Sequence, residues 1–242
     1  MEKSYQEGTE DLTLREFYSI FQKNLGKIKS RETESSRFYF KTFSDNILLA
    51  YPGFSDDLES EFAFIMWSLR EYQFRMALKG FFIRGGLTFG PLFLSEDTVY
   101  GKALLDAYNL ESEIAVNPRV VLSNEVKELV DKHINYYANR NAPQKKDVLV
   151  DADSRYFINY LAECLLDDGE GQSLDVSSLR EHKAQIERGL QEFTSKLQIF
   201  SKYAWLAAYH NYFCDLVSDF RNYDSSLKID NELYCIQFSE IE

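Results

Sequence analysis

The sequence is short of cysteine, histidine and positive charge, and each shortage narrows what the chain can do. Its three cysteines, Cys164, Cys214 and Cys235, are far apart and odd in number. That suits reduced thiols in an intracellular protein rather than a disulfide framework, and no cysteine pair has metal-site spacing. The three histidines, His133, His182 and His210, also lack metal-ligand spacing. Surface or helix-packing roles are expected for them. Lys and Arg number 27 against 39 Asp and Glu, a formal net charge of −12. A broad nucleic-acid surface neutralises phosphates with Lys and Arg, so this balance argues against nucleic acid as a partner. It leaves room for a local basic pocket around one nucleotide. No apolar run reaches membrane-spanning length, and polar residues follow Met1, so neither a transmembrane segment nor a signal peptide is expected. A cytoplasmic protein follows from these readings. There is no internal repeat and no low-complexity segment.

What is present is a substantial apolar and aromatic content, 45% and 15% of the 242 residues. That is enough for the core of one large domain, or of a domain with an extension. The chain is organised around residues 84 to 123. An apolar strand (Phe81, Phe82, Ile83) runs into Arg84, Gly85 and Gly86, and Gly90 and Pro91 follow. A short β-prone run from Thr98 to Tyr100 ends at Gly101. A helix follows, with Leu104, Leu105, Tyr108 and Ile114 as its apolar positions, and Pro118 stops it before a strand at residues 119 to 122. Strand, glycine break, strand, glycine and helix is one way to bring backbone N–H groups to a phosphate. Paired glycines after a strand serve equally as a bulge or tight bend.

Upstream, residues 11 to 29 read as an amphipathic helix with Phe17, Ile20, Phe21, Leu25 and Ile28 on one face. Residues 37 to 51 read as a β-hairpin turning at Ser44, Asp45 and Asn46, residues that bond locally and tolerate left-handed backbone. Residues 58 to 79 form a strongly apolar helix capped by Gly80. Downstream come a short helix at 125 to 134, a loop at 139 to 146, and short strands at 148 to 151 and 156 to 160. The acidic, glycine-bearing stretch 167 to 171 reads as a linker. It divides residues 1 to 166 from a helical extension, 167 to 242, with one long or two broken helices at 177 to 217 and a terminal strand.

The order of these motifs resembles the class III nucleotidyl cyclases. Lys41-Thr42-Phe43-Ser44-Asp45 resembles that family's second metal-binding turn, and Ile83-Arg84-Gly85-Gly86-Leu87-Thr88-Phe89-Gly90-Pro91 its glycine-bearing strand and loop. Thr98-Val99-Tyr100-Gly101 resembles the stretch before its fourth helix, and Pro118-Arg119-Val120 the exit strand. Within the superfamily, RGG, YGKAL, AYNLE and PRVVLS look most like the bacterial pyrimidine cyclases of anti-phage defence. The resemblance covers roughly residues 10 to 160. It implies an α+β, ferredoxin-like cyclase fold, here with a C-terminal helical extension, and a homodimer with sites at the interface. It also implies formation of cyclic CMP or cyclic UMP from CTP or UTP with two Mg²⁺ or Mn²⁺ ions. Asp45 would be a catalytic metal ligand, with a plain turn residue as the alternative. Arg84 would be catalytic toward phosphate, with a strand-end ion pair as the alternative. Lys41, Thr98, Gly85 and Gly86 would contact substrate, with Lys41 equally readable as a strand-surface lysine.

The sequence departs from the family at three points. Leu105 stands where purine cyclases carry an Asn, and Asn109 where they carry a transition-state Arg. The third departure is larger. The family opens on an apolar strand bearing the first metal Asp, and residues 1 to 10 are too polar for it. Such a strand is central, so two neighbouring strands would be left with unpaired backbone. Either the natural chain is longer at its start or another segment fills the gap. The tail, residues 234 to 241, is β-prone but better suited to an edge. The leading expectation is therefore a pyrimidine-type nucleotidyl cyclase. The alternative is a catalytically silent module of the same fold that dimerises or binds nucleotide. A third reading is an interaction protein that binds a partner through the aromatic helix near Trp205.

Overall fold

A computed structural model describes residues 15, 18–20, 22–24, 26, 39–43, 46–53, 55, 57–95, 97–137, 142–167, 172–230 and 237–241. The described residues between 15 and 26 are helical, as their period predicts. The hairpin follows as β1 (Tyr39–Phe43) and β2 (Asn46–Ala50), antiparallel, with Phe43 opposite Asn46 and Tyr39 opposite Ala50. Its turn, including Asp45, lies outside the described residues.

Helix α1 (Glu59–Ala77) buries Phe62, Ile65, Met66, Tyr72 and Met76, the face its apolar spacing marks out. Gly80 ends it at φ 79°, a conformation that costs glycine little, and its N–H donates to the Ala77 carbonyl at 2.9 Å. The predicted strand at 81 to 83 does not form. Those residues make an irregular connection, and β3 is Gly85–Leu87. Phe82 instead packs edge-on against the rings of His182 and Tyr203, while Phe81 and Ile83 pack on Tyr72 and Met76. The ladder starts at Gly85 because β6 (Val120–Leu122) runs alongside from there, in parallel.

Between them lie a two-stranded ribbon, β4 (Phe93–Leu94) and β5 (Val99–Tyr100), and helix α2 (Lys102–Asn109). A π-helical turn, Leu110–Ile114, continues α2. The apolar face expected of this helix is not the buried one. Leu105 and Tyr108 are 63% and 64% exposed, and Ala103 is the residue it buries. Small side chains let it approach β3 closely: a Cβ on Gly86 would lie 2.5 Å from the Ala107 carbonyl oxygen.

Helix α3 (Asn124–Tyr136) is capped by Ser123, whose hydroxyl accepts from the Val126 N–H at 3.2 Å. Part of the expected loop before residue 147 is a helical turn, α4 (Gln144–Asp147). Strands β7 (Val148–Val150) and β8 (Tyr156–Ile158) then join the main sheet. The acidic stretch is flanked by a small hairpin, β9 (Leu165–Asp167) with β10 (Gln172–Leu174), and residues 168–171 lie outside the description. The long helical region is two helices, α5 (Val176–Glu192) and α6 (Leu197–Leu216). They pack closely because Gly189 has no Cβ: one there would fall 2.0 Å from the Tyr203 ring. The tail contributes β11 (Ser239–Glu240), an edge strand on β7.

The main sheet is mixed and runs β11-β7-β8-β6-β3, with the β1-β2 hairpin a separate sheet. The protein is thus α+β. One core cluster joins Leu149, Phe157 and Tyr160 to Trp205, Tyr209 and Phe213, and so ties the C-terminal helices to the sheet. All three histidines are buried.

Candidate functional site

A cavity of about 1060 Å³ lies between β2 and β3. All five residues of β2 line one wall and residues 83 to 90 line the other. Consecutive lining residues on both sides mean that strand edges, and not one side-chain face, border the cleft. The floor is apolar, with Phe62, Ile65 and Leu69 of α1.

Arg84, Gly85 and Gly86 all lie on this cleft. Arg84 precedes β3 directly. Its Nη2 is 2.6 Å from Glu111 Oε1, and Nη1 donates to the Ala115 carbonyl at 3.5 Å. Glu111 sits on the π-helical turn, where the widened ladder closes with Ala115 N–H on the Leu110 carbonyl at 2.8 Å. The Arg84 guanidinium is one-third exposed, and its remaining donors are available to an anion in the cleft. Gly86 serves packing in any case, because it admits α2.

Lys41 is half-buried on β1 opposite Leu48, and Thr98 is exposed beside β5. Neither lines the cleft. The Tyr39 hydroxyl donates to the Ser95 carbonyl at 2.8 Å, tying β1 to the ribbon that carries Thr98. Thr98 is held by its backbone, with its N–H on Ser95 Oγ at 3.0 Å. Asp45 lies outside the described residues, though its neighbour Asn46 lines the cleft. Among the described residues no group of three or more His, Cys, Asp and Glu is placed to hold a metal ion. Mg²⁺ or Mn²⁺ is commonly held by one or two carboxylates with substrate phosphates, and the candidate carboxylate here, Asp45, lies outside the described residues.

Two polar networks escaped the sequence reading. Arg119 is buried and pairs with Asp151 and Asp153. The Trp205 indole N–H donates to Asp151 at 2.8 Å, and burial raises the Asp151 carboxyl above its usual range. The Asp-Ala-Asp-Ser-Arg run was the available signal, since two Asp at that spacing suit a turn that clamps one Arg. The second network joins His182 and His210, whose Nδ1 atoms are 3.0 Å apart. His210 Nε2 meets the Leu227 carbonyl at 2.9 Å, so it carries the proton and Nδ1 accepts. His182 Nδ1 then donates, and its Nε2 accepts from the Tyr160 hydroxyl at 2.9 Å. Burial lowers both imidazoles, His210 to about 4. Burial also pushes Cys214 up to about 12 and raises Cys164, so both thiols are poor nucleophiles.

Among the described residues no helix is long and apolar enough to cross a membrane. No protein-family model, no curated protein and no solved structure matches the chain.

Proposed function

We propose that the chain is a pyrimidine-type nucleotidyl cyclase domain of the ferredoxin-like, class III kind. It acts as a homodimer and forms cyclic CMP or cyclic UMP, with release of pyrophosphate, as an anti-phage signal. The observation that supports this most is the shared cleft. The Arg84-Gly85-Gly86 segment forms one wall, and β2, which follows the Asp45 turn in sequence, forms the other. Two stretches far apart in sequence, and matched to the family for their place around substrate, thus border one cavity.

In the reaction the ribose 3′-hydroxyl attacks the α-phosphate and pyrophosphate leaves. Arg84 binds phosphate oxygens through guanidinium donors not engaged by Glu111 or Ala115. Lys41 donates to a base acceptor, and Thr98 donates or accepts beside it. Asp45 would hold a divalent ion, which would supply orientation of the reacting oxygens and offset of their charge. A second reading, a silent module that binds nucleotide or dimerises, draws on the Arg84–Glu111 ion pair, which already engages the proposed phosphate-binding cation.

Incubation with ATP, GTP, CTP and UTP in Mn²⁺, followed by chromatography, separates the two. A cyclic pyrimidine product, absent in Asp45→Asn at nearly unchanged melting temperature, supports the enzyme. No product from any nucleotide, with binding retained, supports the silent module. Loss of fold in Asp45→Asn makes Asp45 a turn residue.

A further inference from the structure

Arg84 holds the π-helical turn Leu110–Ile114 at two points. Its Nη2 is 2.6 Å from Glu111 Oε1, near the start of the turn, and its Nη1 donates at 3.5 Å to the carbonyl of Ala115, just past the end. The first contact is short and charged, and the second is long for an N–H···O bond. Arg84 and Glu111 both line the cleft. Their side chains are 36% and 27% exposed, so neither is locked in by packing.

The charges on the cleft are poorly set for a polyanion in this arrangement. Among the described residues that line it, Arg84 is the one cation, and Glu61 and Glu111 are the carboxylates. Glu61 accepts from the Ser55 N–H and hydroxyl, on the far side of α1's first turn from Arg84 in sequence. Glu111 is the carboxylate that neutralises the guanidinium. A carboxylate and a phosphate seek the same fork of N–H donors. With Glu111 in place, a phosphate meets only the donors left over and little net positive charge.

We propose that Glu111 is an autoinhibitory lock on Arg84, and that a polyphosphate chain must displace it to bind. The lock rests on the reading of the cleft as a nucleotide site. In the locked arrangement Arg84 is engaged by Glu111 and the Ala115 carbonyl. In the open one the Glu111 carboxylate turns to solvent, and Arg84 presents its full fork to the phosphates. A partly exposed ion pair is held weakly, so a phosphate of higher charge displaces the carboxylate. The same step takes Arg84 off the Ala115 carbonyl, which couples phosphate binding to the π-helical turn and so to the end of α2. Anything that pulls on that turn then changes the affinity of the site for phosphate.

The test is calorimetric titration of the full chain with inorganic triphosphate in Mg²⁺, so that neither base recognition nor turnover takes part. Glu111→Gln keeps the shape of the side chain and removes its charge. It is expected to bind triphosphate roughly three- to tenfold more tightly than the unaltered chain. In an Arg84→Ala background the same change should bring no gain, because no cation remains to release. Glu111→Ala, a second way to remove the carboxylate, should behave alike and stands in if the amide variant unfolds. Equal or weaker binding by the Glu111 variants overturns the lock and makes Glu111 a residue that positions Arg84 for its ligand. A gain that persists in Arg84→Ala overturns it too, since Glu111 then repels anions without Arg84. No binding of triphosphate by any variant removes the lock and the nucleotide site together. Tighter binding by Glu111→Gln, with no pyrimidine preference and no cyclic product, keeps the lock and removes the cyclase.

Discussion

Around Tyr160, His182 and His210 every hydrogen-bonding group of these side chains meets a partner, and aromatic rings fill the space between helices and sheet. β2 and the residues around β3 border an apolar cleft instead, and Phe89 on it is about half exposed. The first region is built to hold shape, because neutral imidazoles and stacked rings there leave no group to solvate. The second leaves an open cavity, with the Arg84 guanidinium one-third exposed on it. Stability should thus rest more on the first region and binding more on the second. Changes on the C-terminal side should unfold the protein, and changes at the cleft should alter what it binds.

Deleting residues 169–242 should have the largest effect. It strips the partners from Leu149, Phe157 and Tyr160, and such exposed apolar surface gives an aggregating product. A soluble, cooperatively melting 1–168 fragment would break the comparison. Next comes Trp205→Ala, which opens a cavity and removes an indole bond to Asp151. A loss of about 3–5 kcal/mol in urea unfolding is expected. The buried imidazoles come third. Their folded pKa values lie below the ordinary 6.5, so between these values the unfolded chain binds more protons than the folded one. The contribution of His210 is present above pH 6.5 and is lost as pH falls toward 4, and that of His182 falls in the same direction. For His210 alone it is about 3 kcal/mol. Denaturant midpoints measured across that window should fall with pH, and His210→Phe should flatten the slope.

On the cleft side the effects are smaller. Gly86→Ala should cost about 1–3 kcal/mol, since its Cβ meets α2 backbone that cannot easily give way. Phe89→Ala should cost within about 0.5 kcal/mol, because that cleft-lining ring is half exposed. A large loss there would mean the cleft side carries stability after all.

The readable parts of the fold were those set by local period and punctuation. Helix α1 was legible from its apolar spacing, and the hairpin from alternation around Asp45. The short strands β7 and β8 were legible from apolar runs on either side of a turn. Residues 81 to 83 misled because an apolar, β-prone triplet looks the same whether it pairs in a ladder or packs against a helix. Helix α2 misled for a related reason. Its small residues, Ala103 and Ala107, are the ones that approach the sheet, while Leu105 and Tyr108 face outward. Period cannot show which face has a neighbour. At the candidate site, Arg84, Gly85 and Gly86 could be singled out as a chemical unit. The Glu111 partner could not, because its ion pair depends on how the π-helical turn sets it against β3.

The β2–β3 cleft and its surroundings are proposed to serve a pyrimidine nucleotide. The measurement that tests it most directly is calorimetric titration of the full chain with each nucleoside triphosphate in Mn²⁺, which needs no turnover. Lys41 can only donate hydrogen bonds, so it favours base acceptors such as O2 of uracil or N3 of cytosine, and Thr98 does not add the acceptor demand of an acid. UTP or CTP should bind more tightly than ATP or GTP. Lys41→Ala should weaken the pyrimidine selectively, by about 1–3 kcal/mol. Tighter purine binding, or no response of any nucleotide to Lys41→Ala, would contradict it.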